Sequence, residues 1–366
     1  MAGLTDTAFR RLVKRQGGCG LVVSEMVSAE GLVRGIDKTL EYVEFTDEER
    51  PVAIQIFGGD PERMARAAQV VESIGADIVD VNMGCPVPKI AKTSAGCSLM
   101  REPGRAAAIV AAMVKAVRIP VTVKMRAGWN GDEVNAPELA RSLQDAGAAG
   151  LAVHGRTAAQ SYTGNADWEL IARVVASVSI PVWGNGDCNE PQELLDRMRE
   201  TGVAGILVGR GVLRNPWIFA QAAALAAGGP VPVISMEQRG RFLLDYIDLL
   251  LRDPSGEPDG FRHTAQRDPL PTPDGRELPA TSHQPVLSEA RQRRVEGPPA
   301  TSHQPPATTR SRDRHVVNKL RALSAWYTRG LDNGSTLRHT INRTESVAAL
   351  RDVINGFFCP AGNTEA

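Results

Sequence analysis

Several apolar segments of this chain end in polar or charged side chains that could bind a ligand or carry out chemistry. If the segments are parallel strands, their carboxyl ends lie on one face of a sheet, and in a closed (β/α)8 barrel that face carries the active site. One such residue would mean little, but its recurrence after six segments predicts a single shared site. The residues are Gln55, Asn82, Lys124, Arg126, His154, Arg156, Asn185, Asp187 and Arg210.

Glycines accompany the last two of these segment ends, in the motifs GNGD and VGR. Glycine lets backbone N–H groups approach an anion closely, and arginine adds a planar, fork-shaped cation. The corresponding loops of a TIM barrel commonly bind phosphate. We therefore interpret this region as a phosphate site rather than as two tight turns alone. Its residues are Asn185, Gly186, Asp187, Gly209 and Arg210.

Lys124 and Arg126 have the same parity on one predicted strand, so both should point into the barrel mouth. A lysine near the end of a buried strand is costly unless it is paired. Reduced flavin would supply a negative charge at the N1–C2=O edge of its ring, which a positioned cation stabilises. The alternative is a surface lysine at a frayed strand end. His154 could hydrogen-bond a flavin edge or a phosphate, or it could serve the structure alone.

Cys85 lies in the motif NMGCPVPK, just beyond the strand that carries Asn82. Gly84 and Pro86 restrict the shape of this loop. A thiol here could donate a proton to a substrate carbon while hydride arrives from the other side. The alternative is a small buried hydrophobe, which we prefer for the other four cysteines. No His/Cys cluster has metal-ligand spacing, so we predict no metal site.

The elements that position these residues follow a repeat. Short β-rich stretches that begin with Pro-Val alternate with others that follow a glycine, and amphipathic segments such as PERMARAAQVVESI separate them. Strand, helix and strand at this spacing predict parallel βα units. The stretches begin at Pro51, Gly75, Pro120, Gly147, Pro181 and Gly202.

CGLVVSEM, from Cys19, predicts one more strand and brings the total to seven. A closed barrel needs eight strands, and we expect the missing first strand to precede Met1, because MAGLTD already resembles the loop and helix start after a strand. The predicted fold is therefore an α/β TIM (β/α)8 barrel with an incomplete first strand, followed by a small α-helical domain. An open, doubly wound sheet is the alternative.

The change from alternating strands and helices to helices alone predicts two domains. Residues 1–230 form the barrel, and 231–366 form the helical domain, where Ser235 and Gln238 make a capping box. A Pro- and Ser-rich stretch at about 253–313, which contains PATSHQP twice, has no periodicity and is predicted to be a disordered insertion. Its basic clusters, RQRR and RSRDR, leave a recognition arm as the alternative.

Composition restricts the setting of the protein. The 366 residues include 42 basic and 42 acidic ones, so no overall field draws the chain to nucleic acid, and any RNA contact must use a local patch. Five cysteines without a CxxC pair favour a reducing, cytoplasmic compartment. We see no signal peptide and no apolar run long enough to span a bilayer, so no membrane is expected.

Several motifs occur in an order that is highly specific. The chain from Met1 to Gly211 resembles the tRNA-dihydrouridine synthase family, and the C-terminal helices resemble that family's tRNA-binding domain. The Cys-Pro pair is the most telling feature, because other FMN barrels, such as the dihydroorotate dehydrogenases, lack it. The motifs are MAGLTDTAFR, SEM, NMGCPVPK, AGCSLM, KMRAGW, HGRT, NGD and VGRG.

The resemblance implies that FMN sits in the mouth, is reduced by NADPH and passes hydride to C6 of a uracil in tRNA. It implies Cys85 as the acid that protonates C5, with Asn82 and Arg126 holding the uracil or flavin edges. We also expect Arg156 on the substrate side. Lys319 and Arg321 are among the basic residues of the C-terminal helices that could hold tRNA phosphates, the alternative being a solvated helix face. We expect a monomer. The residues implied to contact the cofactor are Met1, Ala2, Gly3, Gln55, Lys124, His154, Asn185, Gly186, Asp187, Gly209 and Arg210.

Two other functions stay open at this point. A small-molecule FMN oxidoreductase of the dihydroorotate dehydrogenase type would share the barrel and the phosphate loops, but it needs no basic helical domain. A non-catalytic RNA-binding protein on a truncated barrel would need neither Cys85 nor Lys124.

Overall fold

The computed structural model describes residues 3–91, 93–252, 262–264 and 309–359. Its strands are β1 Val22–Val23, β2 Val27–Ser28, β3 Phe45–Thr46, β4 Val52–Phe57, β5 Ile78–Met83, β6 Val121–Arg126, β7 Gly150–His154, β8 Val182–Asn185, β9 Gly205–Ile206 and β10 Arg262–His263.

The helices of the barrel region are α1 Thr7–Gln16, α2 Ala29–Val33, α3 Asp37–Glu41, α4 Pro61–Ser73, α5 Pro88–Ala91, α6 Pro103–Ala116, α7 Ala136–Asp145, α8 Trp168–Ser177, α9 Pro191–Thr201, α10 Arg210–Arg214 and α11 Ile218–Ala226. They are followed by α12 Met236–Leu251, α13 Thr309–Tyr327, α14 Gly334–Arg343 and α15 Val347–Phe358. Two short 3₁₀ helices lie at Asp47–Glu49 and Gly96–Arg101.

The main sheet is parallel and follows chain order from β1 through β4, β5, β6, β7 and β8 to β9. Successive residues of β1 and β2 pair with β4, so these two pieces form one interrupted strand. Strands β4 to β7 are buried along nearly their whole length, as expected when helices cover the outside and side chains fill the inside. The predicted parallel βα units are confirmed.

The ring of units closes at its helices. Gly18, just after α1, lies so close to α11 that a Cβ atom on it would be 2.4 Å from the Phe219 carbonyl oxygen. The first and last units are therefore neighbours, although β1 and β9 do not pair with each other among the described residues. This arrangement is the predicted TIM barrel, with seven parallel strands among the described residues, and the open doubly wound alternative was wrong.

Local sequence explains where the outer helices begin. Helix α4 begins at Pro61, and the Asp60 carboxylate accepts a hydrogen bond from the Arg63 N–H. Helix α1 has the same kind of cap, because the Asp6 carboxylate accepts from the Phe9 N–H. The predicted capping box at Ser235 and Gln238 is present at the start of α12. These caps satisfy N–H groups that a helix start otherwise leaves unpaired.

Helix α12 packs on α1 through aromatic rings. Phe242 contacts Phe9 edge-on and stacks on Tyr327 of α13, with ring centroids 6.0 Å and 5.8 Å apart. The Tyr246 hydroxyl also donates to the Asp6 carboxylate at 2.9 Å. The C-terminal helices are thus fastened to the beginning of the barrel. The division into domains at residue 230 stays a prediction.

Most of the predicted insertion at about 253–313 lies outside the described residues. Within it, the short strand β10 pairs antiparallel with β3, and the His263 ring stacks on Phe45 with centroids 4.6 Å apart. The sequence pattern did not predict this strand. In the parts of the chain that the structure describes, no helix has the length and apolar character needed to cross a membrane.

Candidate active site

The carboxyl ends of β4 and β5 carry a chain of hydrogen-bonded amides. Gln55 donates from Nε2 to the Asp80 carboxylate at 2.7 Å, and its Oε1 accepts from Asn82 Nδ2 at 2.7 Å. The Asn82 Oδ1 atom then accepts from the backbone N–H groups of Gly84 and Cys85, at 3.2 Å and 2.9 Å. The predicted strand-end residues therefore hold the start of the cysteine loop directly.

Lys124 lies on β6, paired in register with Asn82. Burial, reinforced by the nearby charge of Arg126, lowers the pKa of Lys124 to about 8, although the Asp80 carboxylate opposes the shift. Its ammonium makes no hydrogen bond or ion pair within the described ranges. A desolvated cation without a direct partner is suited to a negatively charged ligand.

His154 stands at the end of β7 among four positive charges. Burial is the largest cause that lowers its pKa to about 2, and the charges of Lys124, Arg126, Arg156 and Arg210 lower it further. The imidazole is therefore neutral. Arg156 Nη1 lies 3.4 Å from His154 Nε2, and because a guanidinium only donates, this contact favours the tautomer with the ring proton on Nδ1. Neutral His154 can donate one hydrogen bond to a ligand.

Two buried arginines hold the loop that follows β7. Arg126 Nη1 donates to the carbonyl oxygens of Thr157 and Ser161, at 3.0 Å and 2.9 Å. Its Nε also donates to the Gly84 carbonyl at 2.8 Å, which links this loop to the cysteine loop. The exposed ring of Tyr162 then lies 5.8 Å from the Arg126 guanidinium. The arrangement orders the wall of the mouth.

Arg156 makes a second set of contacts on the same loop. It donates to the Thr163 and Gly164 carbonyl oxygens and forms an ion pair with Asp187 at 2.8 Å. Asp187 also lies 3.8 Å from Arg210, and these partners lower its pKa against the opposing effect of burial. The charged ends of β7, β8 and β9 therefore meet.

The predicted phosphate turn is tight for a physical reason. Gly186 has φ +133°, and a Cβ atom on it would lie 2.4 Å from the Ala166 Cβ. Asn185 donates from Nδ2 to the Leu207 carbonyl at 2.6 Å, which ties β8 to the segment after β9. Gly209 has open space where a Cβ would lie, and Arg210 follows it with a half-exposed side chain.

Cys85 is partly exposed, whereas Cys97 behind it is buried. The Cys97 N–H donates to the Cys85 carbonyl at 3.1 Å, and burial raises the pKa of the Cys97 thiol. All five cysteines of the chain are free. Accessibility thus separates Cys85 from its neighbour.

An open cleft of about 1090 Å³ lies beside the cysteine loop. The cleft is lined by Val87, Lys89 and Thr93 of that loop and also by Arg63 and Arg105. Ser28 and Phe57, at the ends of β2 and β4, also line it, whereas Gln55, Lys124 and His154 do not. Among the described residues no three His, Cys, Asp or Glu side chains are grouped to hold a metal ion.

Residues 1–263 match the family model described as dihydrouridine synthase. The chain belongs to the dihydrouridine synthase family. It is 42% identical over 263 residues to tRNA-dihydrouridine synthase B of Xanthomonas campestris pv. campestris, covering 72% of this chain and 79% of that protein. The protein of the same name from Pseudomonas aeruginosa is 41% identical over 248 residues, which cover 68% and 74% of the two chains. The protein of that name from Shewanella oneidensis is 41% identical over 263 residues, which cover 72% of this chain and 81% of that protein.

Family membership confirms the resemblance noted in the sequence, and the structure brings most of the predicted dihydrouridine synthase site into one mouth. Lys319 and Arg321 lie elsewhere and are engaged within the chain. Lys319 pairs with Asp6 at 2.8 Å, and Arg321 donates to the Thr344 carbonyl at 2.9 Å. Met1 and Ala2 lie outside the described residues. The residues that meet at the mouth are Gln55, Asn82, Cys85, Lys124, Arg126, His154, Arg156, Asn185, Gly186, Asp187, Gly209 and Arg210.

Sequence reasoning missed Asp80, Thr122 and Tyr162. Asp80 sits within an apolar strand, and the Thr122 hydroxyl donates to it at 2.6 Å. A carboxylate inside an otherwise apolar segment was the signal, because a buried charge needs partners. Tyr162 offered no comparable signal, since its place between two arginines depends on how the loop folds.

Proposed function

We propose that this protein is a tRNA-dihydrouridine synthase, which reduces the C5=C6 bond of uridines in tRNA. The observation that carries the proposal is the position of Cys85, partly exposed and held by Asn82 at the edge of a cationic barrel mouth. A proton donor there, in a member of the dihydrouridine synthase family, fits protonation of one uracil carbon.

The residues of the mouth fit FMN. Lys124 offers an ammonium without a partner in the described chain, neutral His154 offers an N–H, and Arg210 with Gly209 offers a cation beside open space. A flavin ring edge and a phosphate need such donors. When bound, FMN would supply the hydride that adds to C6 of the uracil.

Cys85 donates its thiol proton to C5, on the face of the uracil opposite the incoming hydride. Arg126 already uses Nε and Nη1 on backbone carbonyls, and its Nη2 makes no hydrogen bond to the described residues. That N–H pair is available to a uracil carbonyl oxygen. Asn82 keeps the Cys85 loop in place.

A uridine must leave the stacked tRNA to reach this mouth. We propose NADPH as the reductant and a monomer acting in the cytoplasm, where free cysteines such as these persist. Contacts of Lys319 and Arg321 with tRNA phosphates also belong to the proposal, and binding would have to compete with their present partners.

The test is NADPH oxidation by the FMN-loaded protein, with tRNA transcribed in vitro and therefore free of dihydrouridine. We expect oxidation that depends on tRNA and dihydrouridine in the product. Dihydroorotate turnover without any tRNA effect would support the small-molecule oxidoreductase instead. A colourless protein that binds tRNA but no FMN would support the non-catalytic alternative.

A further inference from the structure

The amide chain at the mouth begins at Asp80, a buried carboxylate one hydrogen bond behind Gln55. Both oxygens of the buried Asp80 side chain accept hydrogen bonds, Oδ1 from the Thr122 hydroxyl at 2.6 Å and Oδ2 from Gln55 Nε2 at 2.7 Å. Asp80 is 5% exposed. Burial raises the pKa of Asp80, whereas these two hydrogen bonds and the nearby charge of Lys124 lower it and favour the ionised carboxylate.

The carboxylate gives the amide chain a direction. An ionised Asp80 can only accept, so Gln55 must turn its NH₂ group towards it and its Oε1 towards Asn82. Asn82 must then present Nδ2 to Gln55 and Oδ1 to the N–H groups of Gly84 and Cys85. If Gln55 turned over, Asn82 would have to turn too, and its NH₂ would face two N–H donors.

We propose that Asp80 is a positioning residue for Cys85, because its carboxylate sets the orientation of the Gln55 and Asn82 amides and so holds the backbone of the cysteine loop. Asp80 itself contacts neither substrate nor cofactor. Its effect on turnover rests on the proposed function, whereas its effect on the loop does not.

The first test is Asp80→Asn, which keeps the shape of the side chain but can offer its NH₂ to Gln55 and release the fixed direction. In cofactor-free protein we expect hydrogen exchange at the Gly84 and Cys85 amides to become about tenfold faster or more. With FMN and tRNA, kcat should fall about tenfold to a hundredfold, because the acid is misplaced, with KM for tRNA within about twofold.

Thr122→Val is the matched control. It removes the other hydrogen bond to Asp80 while Gln55 and Asn82 keep theirs. We expect a lower urea midpoint but unchanged exchange at Gly84 and Cys85. If Thr122→Val loosens the loop as much as Asp80→Asn does, loss of stability explains both and the proposal is wrong.

Gln55→Met breaks the amide chain at its centre and serves as the second variant if Asp80→Asn does not fold. Its cofactor-free form should show the same fast exchange, confined to Gly84 and Cys85. The proposal is wrong if the Gly84 and Cys85 amides still exchange slowly in a folded Asp80→Asn or Gln55→Met variant. It is also wrong if fast exchange spreads along the whole of β5. If the wild-type protein forms no dihydrouridine, the proposed function fails while this exchange experiment still decides the role of Asp80.

Discussion

Arg156 donates from Nη2 to Asp187 Oδ2 at 2.8 Å and thereby joins the end of β7 to the loop after β8. The arginine side chain is 3% exposed and that of Asp187 is 33% exposed, so the cation is the more deeply buried partner. Asp187 also accepts from the Ala166 N–H at 2.7 Å. This pair fixes two neighbouring walls of the mouth.

Replacing Asp187 by alanine should therefore destabilise the protein by about 2 kcal/mol, because a buried guanidinium loses its counter-charge. Asp196→Ala is the control, since its pair with Arg199 is largely exposed and should contribute within about 0.5 kcal/mol. Urea unfolding measures both free energies. Equal losses in the two variants would contradict a structural role for the Arg156 pair.

FMN binding should weaken as the pH rises through about 8. Burial lowers the pKa of Lys124 to about 8, so above that pH the cofactor-free protein loses a positive charge beside the electron-rich N1–C2=O edge of the flavin ring. A single linked proton gives a Kd that rises by up to about tenfold per pH unit. Quenching of flavin fluorescence measures this Kd.

Lys124→Met is the control for that experiment. It should bind FMN more weakly at about pH 7 and show no increase in Kd between about pH 7.5 and 9, because the titrating group is gone. A wild-type Kd that stays constant over this range would show that the charge of Lys124 does not contribute to binding.

Much of the site could be predicted from the sequence because the order and direction of the strands determine where their terminal side chains lie. In a parallel βα ring, the carboxyl ends of all strands share one face, so residues such as Gln55 and Arg210 must converge although 155 positions separate them. The ion-pair and hydrogen-bond partners of individual side chains could not be predicted. Which carboxylate Arg156 meets depends on the loop after β7, and the engagement of Lys319 depends on how α13 packs.

Strand β10 shows the same limit for the fold. It has two residues, Arg262 and His263, and exists because β3 offers backbone partners and Phe45 offers a ring. A segment this short carries no periodicity of its own. Similarly, Asp80 is interpretable only after Thr122 and Gln55 are seen to donate to it.

Lys319→Met should lower stability by about 1 to 2 kcal/mol, because Lys319 joins α13 to Asp6 at 2.8 Å and to the Gly3 carbonyl at 3.1 Å. Lys115→Met removes an exposed lysine that has no ion pair in the described chain, and it should change little. Thermal unfolding compares the two. Identical melting temperatures would show that the Lys319 contact stabilises nothing.

The same Lys319 variant tests the predicted phosphate contact. If Lys319 leaves Asp6 to bind tRNA, Lys319→Met should reduce the slope of the logarithm of the tRNA association constant against the logarithm of salt concentration by about one. Arg321→Met should do likewise if Arg321 leaves Thr344. Filter binding at several salt concentrations measures the slopes, and an unchanged slope removes that residue from the RNA interface.

The most direct measurement is the dihydrouridine content of unmodified tRNA after incubation with NADPH and FMN-loaded protein, for the wild type, Cys85→Ala and Cys97→Ala. We predict that the wild type and Cys97→Ala form dihydrouridine, while Cys85→Ala is slower by about a hundredfold or more and still oxidises NADPH at its flavin. Dihydrouridine formed by Cys85→Ala at the wild-type rate, or none formed by the wild type, would contradict the account.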